Sequence, residues 1–336
     1  MKSFHSRTLY YQVPVESIQQ RHISCVCRIP MWKSHRSYPS RNPPPPSNSL
    51  LNHRKLTLEM SPCQHNTPPM SNRIDTTFQK LAETNTPAFV AYVAAGDPNL
   101  EKSLEIIRGL ADAGADVIEL GVPFSDPLAD GVVNQLAADR ALKAGATFPK
   151  VLQLIKDFRE THQTPIVLFT YLNPIYTYGY EKFHADASAA GADGVLLLDL
   201  PPDEVAHNAE LAAREGLKHI TLIAPTSPDE RIEALAKQSE GFIYALSRTG
   251  VTGAQAAPST AVGATVEKIK QHTNTPVCIG FGINTPEQAK MVGELSDGVV
   301  VGSCIVNQVA ENATADDVAA KVAAFTTPLI QAAKGR

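Results

Sequence analysis

A carboxylate standing inside an aliphatic run is the first feature of this chain that could do chemistry. Glu119 interrupts Val117-Ile118-Glu119-Leu120-Gly121-Val122. A strand points alternate side chains to opposite faces. If Ile118 and Leu120 face a helix layer, Glu119 faces the interior of a sheet or barrel. A charge there is costly unless it is paired or used, so Glu119 is either a structural acid satisfied by its neighbours or a proton carrier in a dry site. The following loop, Pro123-Phe124-Ser125-Asp126-Pro127-Leu128-Ala129-Asp130-Gly131, brings another acid close. Asp130 taken alone reads as a turn residue or helix cap. With Glu119 it makes a pair of carboxylates from neighbouring elements, suited to general acid–base work.

Glycines supply the other chemistry. Gly280-Phe281-Gly282 and Gly302-Ser303 each follow an apolar run, and Ser247-Arg248-Thr249-Gly250-Val251-Thr252-Gly253-Ala254-Gln255 is a loop rich in hydroxyls and glycines. Glycine lets backbone N–H groups approach an anion, and a helix N-terminus adds its dipole. Successive strand ends of this kind, with Gly253, point to a phosphate, and the loop around Thr252 could close over it. A single glycine would be no more than a tight turn. No lysine stands at the end of a strand-like run, since Lys218 precedes one, which disfavours Schiff-base chemistry. His219 begins a strand, and His162, His184, His207 and His272 fall in helix or loop positions, so no zinc or iron ligand set is evident. The residues read as cofactor-free acid–base chemistry on a phosphorylated small molecule.

Those residues need elements to position them. Apolar runs recur at Phe89–Ala94, Val117–Val122, Ile166–Tyr171, Val195–Leu200, Ile220–Ala224, Phe242–Leu246, Val277–Gly280 and Val299–Gly302. They are mostly not alternating, as strands buried on both faces should be. Segments of helical period lie between them, such as Leu104, Ile107, Leu110 and Ala111, or Ile232, Leu235 and Ala236. Ser227-Pro228-Asp229-Glu230 and Thr285-Pro286-Glu287 read as helix starts. The near-repeat Ala-Gly-Ala-Asp at Ala113–Asp116 and Ala190–Asp193 precedes a strand each time. Eight strand–helix units predict an α/β chain of the (β/α)8 TIM barrel type over residues 71–336, with function at the C-terminal strand ends. An open doubly wound sheet is the competing architecture, but Ala95-Gly96-Asp97-Pro98 replaces its glycine fingerprint.

The chain has 336 residues, 43% of them hydrophobic, enough for one large domain. Residues 1–70 differ from the rest. They hold the run Pro43–Pro46 and no hydrophobic period, and their composition predicts a disordered extension. This segment is either a transit-like peptide, implying an organelle, or the product of a misassigned start, with Met70 or Met60 as first residue and a cytoplasmic protein. It carries nine of the 30 basic residues and two of the 34 acidic ones, which leaves 21 basic and 32 acidic in residues 71–336. So acidic a body argues against nucleic acid and anionic membrane as partners, and no apolar run is long enough for a spanning helix. Cys25, Cys27 and Cys63 lie in the extension, leaving Cys278 and Cys304 in the body, too few for a disulfide framework.

The stretch from Glu119 to Gly131 resembles the signature of the tryptophan synthase α subunit family. Tyr244–Gly253, Gly280-Phe281-Gly282 and Gly302-Ser303 are similar to its other motifs, in the same order, and the resemblance covers residues 71–336. It implies a barrel that cleaves indole-3-glycerol phosphate to indole and glyceraldehyde 3-phosphate by a retro-aldol step of tryptophan biosynthesis, without a cofactor in this chain. Glu119 would protonate the indole carbon and assist the glycerol hydroxyl, and Asp130 would hold the indole N–H. Tyr92, Tyr171, Leu196 and Phe281 would line the indole pocket, Tyr244 would sit near the glycerol, and Gly253, Gly282, Gly302 and Ser303 would hold phosphate under a lid at Thr252. A β subunit carrying pyridoxal phosphate is the implied partner, in an α2β2 heterotetramer, with Pro123–Asp130 and Asn173–Tyr176 as contact segments. Two departures stand out: Val132 where proline is frequent, and Tyr92 where phenylalanine is common, whose hydroxyl must find a partner. Other phosphate-binding barrels, such as a sugar-phosphate epimerase, would be expected to show metal-ligating histidines at strand ends. A non-catalytic barrel kept to activate a partner would not need both acids.

Overall fold

The computed structural model describes residues 72–246, 259–280 and 282–335; the extension over 1–70 lies outside them. Parallel strands β1 (Ala88–Ala94), β2 (Val117–Gly121), β3 (Ile166–Thr170), β4 (Gly194–Leu197), β5 (Lys218–Ile223), β6 (Ile243–Leu246), β7 (Val277–Gly280) and β8 (Gly298–Val301) pair in chain order. β8 then pairs with β1, Phe89 opposite Val299. That closure excludes the open sheet. All eight expected strands are present, with ends moved by a few residues. The run expected to end at Leu200 leaves the sheet after Leu197, ahead of Pro201 and Pro202, which have no N–H for the ladder.

Around the strands run α1 (Arg73–Glu83), α2 (Leu100–Asp112), α3 (Val132–Lys143), α4 (Phe148–Arg159), α5 (Leu172–Tyr178), α6 (Tyr180–Ala190), α7 (Val205–Arg214), α8 (Asp229–Gln238), α9 (Ser259–Lys270), α10 (Pro286–Gly293), α11 (Ser303–Glu311) and α12 (Val318–Ala333). Thr285 caps α10 through a reciprocal bond with Gln288, as the Thr-Pro-Glu pattern predicts. The other expected start shifts: Ser227 is held in a turn to the Ala224 carbonyl, so α8 begins at Asp229 with Pro228 as its cap residue. Gly191 ends α6 at φ 100°, the left-handed region.

The period of two sorts each strand into two layers. In β1, Phe89, Ala91 and Val93 join the outer core against the helices, while Val90, Tyr92 and Ala94 join the inner core of the barrel. In β2, Ile118 and Leu120 belong to the outer core and Val117 to the inner. The parity sets Glu119 inside the barrel. Ile74 and Phe78 of α1 close the opposite, N-terminal end, Phe78 resting on Phe242 at 5.5 Å.

The repeated aspartate before a strand has a physical role. Asp116 accepts from Phe89 N at 2.7 Å, Asp193 from Ile166 N at 2.8 Å, and Asp297 from Val277 N at 2.7 Å. Each acid thus takes the N–H of a residue in or just ahead of the neighbouring odd-numbered strand, which would otherwise lack an acceptor. Each also takes a cation: Lys334 for Asp116, Arg73 and Arg159 for Asp193, and Lys270 for Asp297. Among the described residues no helix is long and apolar enough to cross a membrane.

Candidate active site

Glu119 and Tyr92 are register partners on β2 and β1, side by side on the barrel's inner face. Glu119 is 1% exposed, and neither carboxylate oxygen has a hydrogen-bond partner among the described residues. A structural acid would be satisfied by amides or a base; this one is not. Desolvation disfavours its ionised form and pushes its pKa up to about 8. At neutral pH the group is mostly a neutral acid with a proton to give.

Asp130 stands at the mouth above it, at the end of the β2–α3 loop. The cap residue of α3 is Gly131, with no side-chain cap bond, so Asp130 is not spent on helix capping. Its Oδ2 accepts from the Tyr171 hydroxyl at 2.8 Å, and that hydroxyl in turn accepts from Ala129 N at 3.0 Å. Asn134 Nδ2 lies 3.4 Å from Asp130 Oδ1, and Gln135 donates to the Asp130 carbonyl at 2.8 Å. Burial raises the Asp130 pKa, opposed by the bonds from Tyr171 and Asn134. The two acids therefore differ in kind: Glu119 is dry and unpaired, Asp130 is half-buried and oriented by donors.

Both acids line a cleft of about 190 Å³ at the C-terminal end of the barrel. Its walls include Tyr92, Phe169, Leu198, Leu222 and Tyr244, an apolar chamber for a flat ring, and Gly282, Asn284, Gly302 and Ser303 on the β7–β8 side. Gly282 has φ 82°, which only glycine adopts freely, and a Cβ there would meet nothing within 4 Å. Gly302 is the cap residue of α11 and offers no side chain to cap it. The first N–H groups of α11 lack intrahelical acceptors, so the cleft ends on a cradle for an anion.

The structure brings Tyr92, Glu119, Asp130, Tyr244, Gly282, Gly302 and Ser303 together around this cleft. Tyr171 lines a smaller adjoining cavity and reaches the site through Asp130. Leu196 is fully buried in the inner core and does not line the cleft; the next inward position along β4, Leu198, does. The strand parity was right and the depth was not, because depth depends on barrel tilt. Thr252, Gly253 and Phe281 lie outside the described residues. Phe169, Asn134, Leu222 and Asn284 were not anticipated. Phe169 was within reach, being the inward residue of β3 in register with Gly121. A larger cavity, about 500 Å³, lies at the N-terminal end among α1, α10 and α12, and holds none of the candidate residues.

The tryptophan synthase alpha chain family model matches residues 78–334. The chain belongs to this family. It is 48% identical over 261 residues to the tryptophan synthase alpha chain of Geobacter sulfurreducens, covering 78% of this chain and 98% of that one. Among solved structures it is similar to the tryptophan synthase alpha subunit of Legionella pneumophila, with TM-score 0.73 and 36% identity over 80% of this chain and 100% of that chain. It is also similar to Mycobacterium tuberculosis tryptophan synthase, with TM-score 0.72 and 32% identity over 79% of this chain and 99% of that one. As a member of the family the chain is a carbon–carbon lyase of tryptophan biosynthesis that cleaves indole-3-glycerol phosphate, and the family implies a β-subunit partner.

Proposed function

We propose that Glu119 and Asp130 carry the cleavage of indole-3-glycerol phosphate in this chain, with Glu119 moving the proton. The carrying observation is the Glu119 carboxyl, fully buried, without a partner among the described residues and held protonated near neutral pH. Neutral Glu119 gives its proton to C3 of the indole, leaving a positive charge shared with the ring nitrogen. Asp130, oriented by Tyr171, accepts from that N–H and stabilises the cation. The Glu119 carboxylate then takes the proton of the hydroxyl on the adjacent glycerol carbon. The C–C bond breaks, its electron pair returns to the ring, and indole and glyceraldehyde 3-phosphate form. One proton has passed from oxygen to carbon and Glu119 is restored, so the step needs no external acid, metal or redox partner.

Tyr92, Phe169, Leu198 and Leu222 support an indole position between the acids, and Tyr244 one for the glycerol. Gly282, Gly302 and Ser303 support a phosphate position at the α11 N-terminus. Leu128 and Tyr176, exposed by 83% and 78%, stand with Val132 and Leu136 among the exposed large hydrophobics. They lie on or near the Pro123–Asp130 and Asn173–Tyr176 segments, which supports docking of the β subunit there in an α2β2 assembly, with pyridoxal phosphate in the partner. The bacterial relatives support a cytoplasmic site of action. The test is indole release from indole-3-glycerol phosphate by the full-length chain: Glu119→Gln should nearly abolish it while glyceraldehyde 3-phosphate still binds, and full activity in that variant would refute the role of Glu119.

A further inference from the structure

The hydroxyl of Tyr92 is an oddity of this cleft. The ring is held from several sides. A Cβ on Gly121 would fall 2.6 Å from Tyr92 Oη, and one on Gly302 would fall 3.4 Å from Tyr92 Cβ, so these bare positions leave room for the phenol. Phe169 meets it edge-on at 5.1 Å. The packing delivers Oη over Gly121, one inward step along β2 from Glu119 toward the mouth. Tyr92 is 7% exposed and lines both the cleft and the side cavity, with no hydrogen bond from its hydroxyl to the described residues. Burial and the nearby Asp130 and Glu119 keep it protonated, hence a donor. Phenylalanine would fill the same space, so packing alone does not account for a hydroxyl that faces the cavity.

An independent observation lies close by. Asn134 Oδ1 is buried and lacks a partner among the described residues. Tyr92 and Asn134 share the wall of a side cavity of about 10 Å³ with Gly121, Phe124, Asp130 and Tyr171. That space takes roughly one small polar group, and it offers the two or more polar contacts such a group needs. It opens on the β1–β3 side, away from the Gly282 and Ser303 end of the cleft. If the phosphate lies at that end, as the proposed function holds, the substrate edge facing the side cavity is the far edge of the indole, beside its nitrogen.

We propose that Tyr92 and Asn134 form a specificity subsite for a small hydroxyl on the ring edge next to the indole nitrogen, so that this chain processes hydroxyindoles as well as indole. The inference rests on the proposed orientation of the substrate. The ring hydroxyl accepts from Tyr92 Oη and donates to Asn134 Oδ1; with unsubstituted indole both protein groups are left to water.

The test runs the reaction backwards on the full-length chain, condensing glyceraldehyde 3-phosphate with indole, 6-hydroxyindole or 7-hydroxyindole. Ring C3 bonds to the aldehyde carbon, and the proton lost by C3 ends on the former aldehyde oxygen. At least one hydroxyindole should react with kcat/KM within about tenfold of indole. Tyr92→Phe should lower kcat/KM for that hydroxyindole about tenfold more than for indole, the loss of one neutral hydrogen bond. Asn134→Leu should shift the same ratio in the same direction. Equal losses for all rings in both variants, or indole turnover with no hydroxyindole turnover by the unaltered chain, would overturn the subsite. A chain that fails to condense indole itself overturns the reading of the whole site, a distinguishable outcome.

Discussion

Replacing Glu119 by glutamine should change the pH dependence of stability as well as the rate. The carboxyl has its pKa raised by burial from 4.5 to about 8 in the folded chain. Between those values the folded state holds a proton that the unfolded state has released, so stability falls as pH rises. The stability is fully present below the unfolded pKa and is lost as pH passes through the folded one. Three and a half units at about 1.4 kcal/mol each give a loss of about 5 kcal/mol by pH 9. Solvent screens little of this effect, because the side chain is 1% exposed. Glutamine has the same shape and no titration. Urea unfolding of both proteins at pH 5, 6.5, 8 and 9 measures the difference. Near pH 5 the two should lie within about 1 kcal/mol of each other. The variant should then gain on the parent by about 1.4 kcal/mol per pH unit and level off above pH 8. In parallel, kcat/KM of the parent for indole release should fall about tenfold per unit above pH 8, as the free enzyme loses its acid. A stability difference that does not vary with pH would refute the reasoning, since it would mean that Glu119 is ionised or paired in the native state.

Other perturbations probe other parts of the site. Asp130→Asn should lower kcat by less than Glu119→Gln, because the amide oxygen still accepts from the indole N–H; an unchanged rate would reduce Asp130 to a turn residue. Tyr171→Phe removes the donor that orients Asp130 and should lower kcat about tenfold, with little change in KM in steady-state assays. Gly282→Ala puts a side chain on a backbone at φ 82°; it should raise KM for indole-3-glycerol phosphate while far-UV circular dichroism stays unchanged. Asp193→Ala leaves Arg159 and the Ile166 N–H without their buried partner and should cost about 3–5 kcal/mol in urea unfolding, with kcat of the remaining folded protein preserved.

The strands and the inward face of Glu119 were legible in the sequence for a common reason: both depend on local periodicity. Uninterrupted Val, Ile and Leu runs predicted strands buried on both faces, and the alternation through Ile118 and Leu120 set Glu119 inward before any contact was known. The aspartates at 116 and 193 were visible as a repeat, but their bonds to Phe89 N and Ile166 N join residues distant in sequence, and no local pattern shows such pairings. Leu196 was placed too shallow because strand parity tells which way a side chain points and not how far down the barrel it sits.

The sequence by itself determined the period of each element, the inward face of Glu119 and the glycines at the strand ends, since these follow from backbone geometry over a few residues. Only the tertiary structure decided that Tyr171 orients Asp130, that Asn134 Oδ1 finds no partner among the described residues, and that Glu119 keeps its proton at neutral pH. Hydrogen-bond partners and desolvation are set by which distant side chains the closed barrel brings around each group, and by the water it excludes.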